Sequence, residues 1–256
     1  MKTISIVNLK GGVGKTITAV NLAAILATDY KKRVLLIDAD HQGNATRFFK
    51  VTTENGSLAS LFDGTASCYS DVTVNSPYER LDVIPADMSL ASIDLDSNLT
   101  RSVLFQVLPD LRDSIIEDDA YDYIIIDCPP AFSVASISAI VASDQIVIPV
   151  KPGKFELDGM FDITDQIVGI RRANLGVGVA GVLLTMWHNS DVVLQGEAWL
   201  RRSCPVPVFR QVIRRTDKID ESTFAREPIC DWSPTSAAAR DYRAWVREYL
   251  GGALNV

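Results

Sequence analysis

Cysteine is scarce in this chain of 256 residues, long apolar runs are absent, and basic residues do not outnumber acidic ones. The four cysteines lie far apart, at positions 68, 128, 204 and 230. A disulfide framework or a zinc site is therefore not expected, and a reducing compartment fits. No apolar stretch approaches the roughly 20 residues of a membrane span, and Ser5 and Asn8 interrupt the first apolar run, which argues against a signal peptide.

Net charge and apolar content further limit the kind of protein that this chain can be. The chain has 32 acidic and 25 basic residues, for a net charge of −7. This balance argues against a surface that is basic all over, as a nucleic-acid coat would need, but it allows a local basic patch. Apolar residues make up 47% of the chain, enough for a sizeable core.

A glycine-rich stretch, 10–16, follows the first apolar run and precedes a helical pattern. Its glycines let the backbone come close to a ligand, and its N–H groups and the next helix N-terminus can bind an anion. Lys15 can then reach the β- and γ-phosphates of a nucleotide, and the Thr16 hydroxyl can ligate Mg²⁺. The alternative is an ordinary glycine turn beside a surface lysine. The spacing, the Lys-Thr pair and the strand-loop-helix context disfavour it.

Carboxylates follow two further apolar runs. Asp38 and Asp40 come after 34–37, and Asp127 comes after 124–126. Open α/β sheets bind ligands at the carboxyl ends of their strands. An aspartate pair can also merely cap a helix, but beside a phosphate loop we favour magnesium binding and the positioning of water. Thr16, Asp38 and Asp127 offer the hard oxygens that Mg²⁺ prefers.

Strand-like and helical patterns alternate through most of the chain. The alternation predicts βαβ units, hence an α/β P-loop NTPase domain with a mostly parallel central sheet and helices on both faces. No linker separates a second domain, so we expect a single domain over 1–256. We also expect helices over 96–117, 155–172 and 236–250, and a loop over 67–78.

The glycine-rich stretch departs from the general P-loop pattern in one respect. The first glycine of that pattern falls on Leu9, and a second lysine, Lys10, opens the loop instead. This resembles the deviant Walker A motif of the ParA/MinD family of partition and positioning ATPases. The resemblance implies that Lys10 reaches across a nucleotide-sandwich dimer to the phosphates bound by the other subunit, as a charged finger supplied in trans.

The resemblance continues over 38–46 and 124–130. It implies that Asp38 lies near the Mg²⁺ shell, that Asp40 positions the attacking water and that Asp127 is the Walker B aspartate. His41 stands where the family usually has proline, which implies a less rigid switch loop. The implied catalytic residues are Lys10, Lys15 and Asp40. The implied ATP-binding residues are Gly11, Gly12, Val13, Gly14, Lys15, Thr16 and Ile17, with Thr185 and Met186 near the adenine.

Residues 199–226 are locally basic, with seven basic residues against three acidic ones and a local charge of +4. Solvated helix faces often look like this. The stretch 208–222 also resembles a segment of the DNA-binding members of the family, whose arginines contact phosphates without sequence preference and in a salt-dependent way. The candidate DNA contacts are Arg201, Arg202, Arg214, Arg215 and Lys218, and Arg226 is a candidate of lower rank.

The resemblance is closest to the short ParA proteins, because the first strand begins near residue 3 with no helix-turn-helix extension before it. It implies an ATP-bound homodimer on nonspecific DNA, slow ATP hydrolysis stimulated by a ParB-like centromere-binding protein, and a cytoplasmic, nucleoid-associated location.

Three alternatives remain. A MinD-like membrane-surface positioning ATPase is disfavoured because residues 253–256 carry no basic side chain. An electron-transfer ATPase like the nitrogenase iron protein is disfavoured by the cysteine positions. A nucleotide-binding protein without hydrolysis is disfavoured by the presence of Lys15, Asp40 and Asp127.

Overall fold

A seven-stranded sheet organises the computed structural model, which describes residues 1–96, 100–153, 168–169, 171–172 and 174–251. Its strands are β1 Lys2–Ile6, β2 Val34–Asp38, β3 Val74–Asn75, β4 Leu81–Ile84, β5 Tyr123–Asp127, β6 Gln145–Val150 and β7 Gly178–Leu184. They lie in the order β3-β4-β2-β5-β1-β6-β7. Every neighbouring pair is parallel except β3 and β4. The predicted mostly parallel sheet is therefore confirmed.

Helices connect the strands and cover the sheet. They are α1 Lys15–Thr28, α2 Asn44–Phe48, α3 Leu58–Phe62, α4 Tyr69–Val72, α5 Ser89–Leu95, α6 Arg101–Leu104, α7 Val107–Glu117, α8 Val134–Ala142, α9 Asp191–Ser203, α10 Asp217–Ala225, α11 Ile229–Trp232 and α12 Ala237–Tyr249. Among these helices, none is long and apolar enough to cross a bilayer.

The core lies on both faces of the sheet, as β2 illustrates. Val34 and Leu36 share a buried cluster with α1 and α12, whereas Leu35 and Ile37 share one with α7 and α8. Each such side chain contributes roughly 1.5–3 kcal/mol when it is buried. Strands that are buried on both faces read as continuous apolar runs, which is why the sequence pattern located them. The predicted α/β class with helices on both faces is confirmed.

Some local predictions need correction. The expected loop over 67–78 is wrong, because it contains α4 and the short antiparallel strand β3. Within 96–117 the described residues form two helices, α6 and α7; Pro109 is tolerated because it lies in the first turn of α7, where its missing N–H has no intrahelical partner to lose. Most of the helix expected over 155–172, and the final residues 253–256, lie outside the described residues.

Candidate nucleotide site

The phosphate loop connects β1 to α1 at the carboxyl edge of the sheet. Gly12 and Gly14 take left-handed conformations, with φ of 71° and 86°, which glycine adopts without steric cost. Gly14 caps α1 without any side-chain hydrogen bond, so the first N–H groups of the helix can donate to another acceptor. A phosphate suits this position because it is an anion with several acceptor oxygens.

Two polar side chains outside the loop hold it in place. Asn8 is buried, donates to the carbonyl of Pro149 at 2.7 Å and accepts from the Lys10 N–H at 2.8 Å. The Thr185 hydroxyl, also buried, donates to the carbonyl of Val13 at 2.8 Å. Thr185, expected near the adenine, therefore binds the backbone of the phosphate loop. The role of Asn8 was missed because its partner comes from β6, distant in sequence.

Lys15 lies inside the loop. The residue is 7% exposed, and its Nζ donates to the carbonyl of Lys10 at 2.9 Å. Burial lowers the pKa of Lys15, against the charges of Asp127 and Asp40, which raise it. The backbone of Lys10 thus holds the buried ammonium, while the residue itself lies at the surface.

Asp38 and Asp127 end adjacent strands and are paired in register. Asp38 is fully buried and already well hydrogen-bonded: the Thr46 N–H and hydroxyl each donate to its Oδ2 at 2.8 Å, and the Asp40 N–H donates to its Oδ1 at 3.2 Å. Burial raises the pKa of Asp38 to about 6, although these hydrogen bonds lower it. Asp38 therefore fixes the loop that follows β2, through residue 46.

Asp127 differs from Asp38 in having both carboxylate oxygens buried without a hydrogen-bond partner in the part of the chain that the structure describes. Burial, and then the charge of Asp38, raise the pKa of Asp127 well above its usual range, against Thr16 and Lys15, which lower it. Two unsatisfied buried oxygens beside a threonine hydroxyl fit a hard cation. No group of three or more His, Cys, Asp or Glu converges on a metal position in the described residues, so Mg²⁺ here would need phosphate and water oxygens as well.

Asp40 and His41 begin the loop after β2. Asp40 is 6% exposed, and its Oδ1 accepts from the Gln42 N–H at 3.0 Å. The Nδ1 of His41 lies 3.7 Å from the same Oδ1. Gly43 is left-handed, with φ of 61°, and an added Cβ would lie 2.7 Å from the carbonyl oxygen of Ala86. The loop is thus held in one conformation with Asp40 at the cleft.

These elements surround a cavity of about 730 Å³. Its lining consists of Gly11, Gly12, Gly14, Lys15, Thr16, Ile17, Asp40, His41, Gln42, Asn44, Arg47, Phe48, Pro130, Met186, Thr223 and Arg226. Most of the predicted nucleotide-binding residues therefore meet in one cleft. Met186, with φ of 51°, is another left-handed position in its lining.

Sequence reasoning missed part of the cleft lining, namely Arg47 and Phe48 of α2 and Thr223 and Arg226 at the end of α10. For Arg47 a signal existed, because it directly follows the 38–46 segment. For the end of α10 no local signal existed, because only the tertiary fold carries it to the phosphate loop.

The candidate DNA contacts separate into paired and unpaired side chains. Arg201 binds Glu197 and the carbonyls of Phe209 and Arg210. Lys218 pairs with Glu221. The side chains of Arg202 and Arg215 are exposed and make no hydrogen bond or ion pair with any residue that the structure describes.

Arg214 is engaged most strongly. Its Nε and a terminal nitrogen donate to the two carboxylate oxygens of Asp241, at 2.8 and 2.7 Å, and its N–H donates to Asp241 as well. Asp241 is buried on α12 and also accepts from the Gln211 side chain at 3.2 Å. The bidentate pair attaches the 210–215 segment to α12.

Comparison with known proteins agrees with this geometry. A family model described as "AAA domain" matches residues 1–176. The sporulation initiation inhibitor protein Soj of Bacillus subtilis is 36% identical over 96% of this chain and 97% of its own length. The chromosome partitioning protein ParA of Caulobacter vibrioides is 31% identical over 98% of this chain and 94% of its own. The septum site-determining protein MinD of Pyrococcus horikoshii, solved with Mg-ADP, has a TM-score of 0.80 at 25% identity, covering 98% of this chain and 97% of that one.

Proposed function

This chain belongs to the ParA/MinD family of P-loop ATPases, and from that membership we propose that it is a DNA-partition ATPase. It would bind ATP with Mg²⁺, dimerise with the nucleotides between two copies, hold DNA without sequence preference, and release it after hydrolysis. The observation that carries the proposal is the phosphate loop with its two lysines. The Lys15 ammonium is buried against the backbone of Lys10, and Lys10 itself is an exposed residue.

Each residue of the cleft has a role in this proposal. Lys15 and the loop N–H groups bind the phosphates, and Asp40 orients the attacking water. Thr16 and Asp127 would hold Mg²⁺, with Asp38 behind them as the residue that fixes the switch loop. The metal ion would neutralise charge on the phosphate oxygens. Lys10 of one subunit would contact the phosphates of the other, so ATP would favour the dimer by contacts made there alone.

The DNA-binding part of the proposal rests on the basic residues of 199–226. Arg202 and Arg215 are the foremost candidates, because their guanidinium groups are exposed and unpaired within the described residues. Arg201 and Lys218 would first have to exchange their present partners, and the pairing of Arg214 with Asp241 favours a structural role. We further propose a single domain, a ParB-like partner that stimulates hydrolysis, and a cytoplasmic location on the nucleoid in the ATP state.

DNA retention across a salt series tests the proposal, with ATP, with ADP and without nucleotide. The native chain is expected to retain DNA with ATP alone, less so at higher salt. Lys15→Ala should lose ATP binding, whereas Lys10→Ala should bind ATP yet fail to dimerise or retain DNA. Lys32→Ala is the matched control, since Lys32 is exposed just before β2, at the opposite edge of the sheet. Absence of DNA retention, combined with ATP-dependent binding to anionic vesicles, would instead favour a membrane-surface ATPase.

A further inference from the structure

The end of α10 has an unusual residue in an unusual conformation. The N–H of Arg226 donates to the carbonyl of Thr223 at 3.2 Å, and the N–H of Glu227 donates to that of Ser222 at 3.0 Å. This pair of bonds is the Schellman ending of a helix, and its left-handed position is commonly glycine. Here Arg226 occupies it, with φ of 59° and ψ of 48°. A β-carbon is disfavoured in this conformation, so glycine would fit the backbone here at lower energy than arginine does.

The side chain of Arg226 belongs to the cleft. Both Arg226 and Thr223, one turn earlier on α10, line the cavity that contains the phosphate loop. The guanidinium of Arg226 makes no hydrogen bond or ion pair with any described residue. Arg47, which lines the same cavity, donates a hydrogen bond to Asn44 Oδ1 at 2.7 Å.

The charge of the lining indicates what the cleft binds. Lys15, Arg47 and Arg226 are basic, and Asp40 is the one carboxylate among the described lining residues. Guanidinium groups bind phosphate oxygens through charge-assisted, often bidentate hydrogen bonds. A cleft with an excess of such groups suits a polyanion, and the phosphate loop is part of the same cavity.

We propose that Arg226 contacts the phosphate groups of the bound nucleotide from the end of α10, in the cleft that Arg47 also lines. The inference rests on the proposed function, since it takes the ligand to be ATP or ADP. It adds to that function a contact between the C-terminal part of the chain and the phosphates. The left-handed strain at residue 226 is then the cost of placing a guanidinium at the cleft.

The test uses the full chain with two substitutions at one position. Arg226→Gly removes the guanidinium and relieves the backbone, whereas Arg226→Ala removes the guanidinium and keeps the strain. Both should weaken ATP and ADP binding by about three- to tenfold, as expected for a partly exposed charge-assisted contact, with adenosine binding unchanged. Without nucleotide, Arg226→Gly should melt at or above the native temperature, so its loss of affinity is not a loss of folding.

Arg80→Gly is the matched control. Arg80 is also exposed and left-handed, with φ of 68°, but it precedes β4 and does not line the cleft. Arg80→Gly should bind ATP as the native chain does.

The outcomes separate the inference from the function. Native ATP affinity in both Arg226 variants would overturn the inference. If DNA retention were weaker at that native ATP affinity, Arg226 would be assigned to DNA binding instead. If the native chain itself bound no ATP, the proposed function would fail and the inference with it.

Discussion

Arg214→Ala is expected to destabilise the protein more than Asp241→Ala, although the two residues form one ion pair. The asymmetry follows from exposure: the Asp241 side chain is 5% exposed and the Arg214 side chain 43%. Removal of Arg214 leaves a carboxylate buried without its counter-charge. Removal of Asp241 leaves a guanidinium that water can reach, together with the Arg214 N–H and the Gln211 amide without that acceptor. The hydrogen bond from the Gln211 side chain does not replace the lost charge.

The magnitudes lie between two known limits. Breaking a buried pair costs about 3–5 kcal/mol, and breaking an exposed pair costs about 0–1 kcal/mol. We expect about 3 kcal/mol for Arg214→Ala and about 2 kcal/mol for Asp241→Ala, from these two limits weighted by exposure. For a chain of this size, a loss of 2 kcal/mol lowers the melting temperature by roughly 4–8 °C.

Denaturation with urea measures both free energies of unfolding. Arg247→Ala is the control, because Arg247 is exposed on the same helix, α12, and should change stability by less than about 0.5 kcal/mol. A cost below about 0.5 kcal/mol for Arg214→Ala would refute the reasoning, and so would a clearly larger cost for Asp241→Ala. At temperatures where both variants are folded, DNA retention should depend on Arg215 more than on Arg214.

Three further predictions concern other sites. Gly43→Ala should cost about 1–3 kcal/mol, because its Cβ would meet the Ala86 carbonyl at 2.7 Å in a left-handed backbone; native stability in urea would contradict this. Thr46→Val leaves the N–H of Ala86 without the Thr46 hydroxyl as acceptor, so a loss of about 1–3 kcal/mol is expected by the same assay. With a thiol reagent, exposed Cys68 should react in the native state. Cys128 should react only after unfolding, since burial raises its pKa; fast native labelling of Cys128 would oppose this.

The parts that the sequence predicts well are those whose chemistry is local. The phosphate loop is contiguous, and Asp38 and Asp127 directly follow apolar runs that form β2 and β5. Strand ends in a parallel sheet meet at one edge, so the topology brings these residues together without further information.

The parts that could not be predicted depend on contacts between distant segments. In the sequence Arg214 is indistinguishable from an ordinary surface arginine. Its ion-pair partner, Asp241, lies on α12, 27 residues further along the chain. Arg226 reaches the cleft because the tertiary fold places the end of α10 at the cavity that the start of α1 also lines, which no local pattern indicates. The short strand β3 exists because it pairs with β4; in isolation its sequence is typical of a polar loop.

The interior position of β1 in the sheet has a consequence for how the protein is made. β1 is synthesised before the other strands of the sheet, yet its neighbours are β5 and β6, with Lys2 opposite Tyr123 and Ile4 opposite Gln145. Strand pairings so distant in sequence form slowly, because the chain between the strands loses conformational entropy before the new contacts stabilise the structure. A nascent chain therefore carries β1 without either neighbour until β5 has left the ribosome, and with one open edge until β6 follows. During that interval at least one edge of β1 is open to aggregation, which nucleotide cannot prevent because its site is not yet complete.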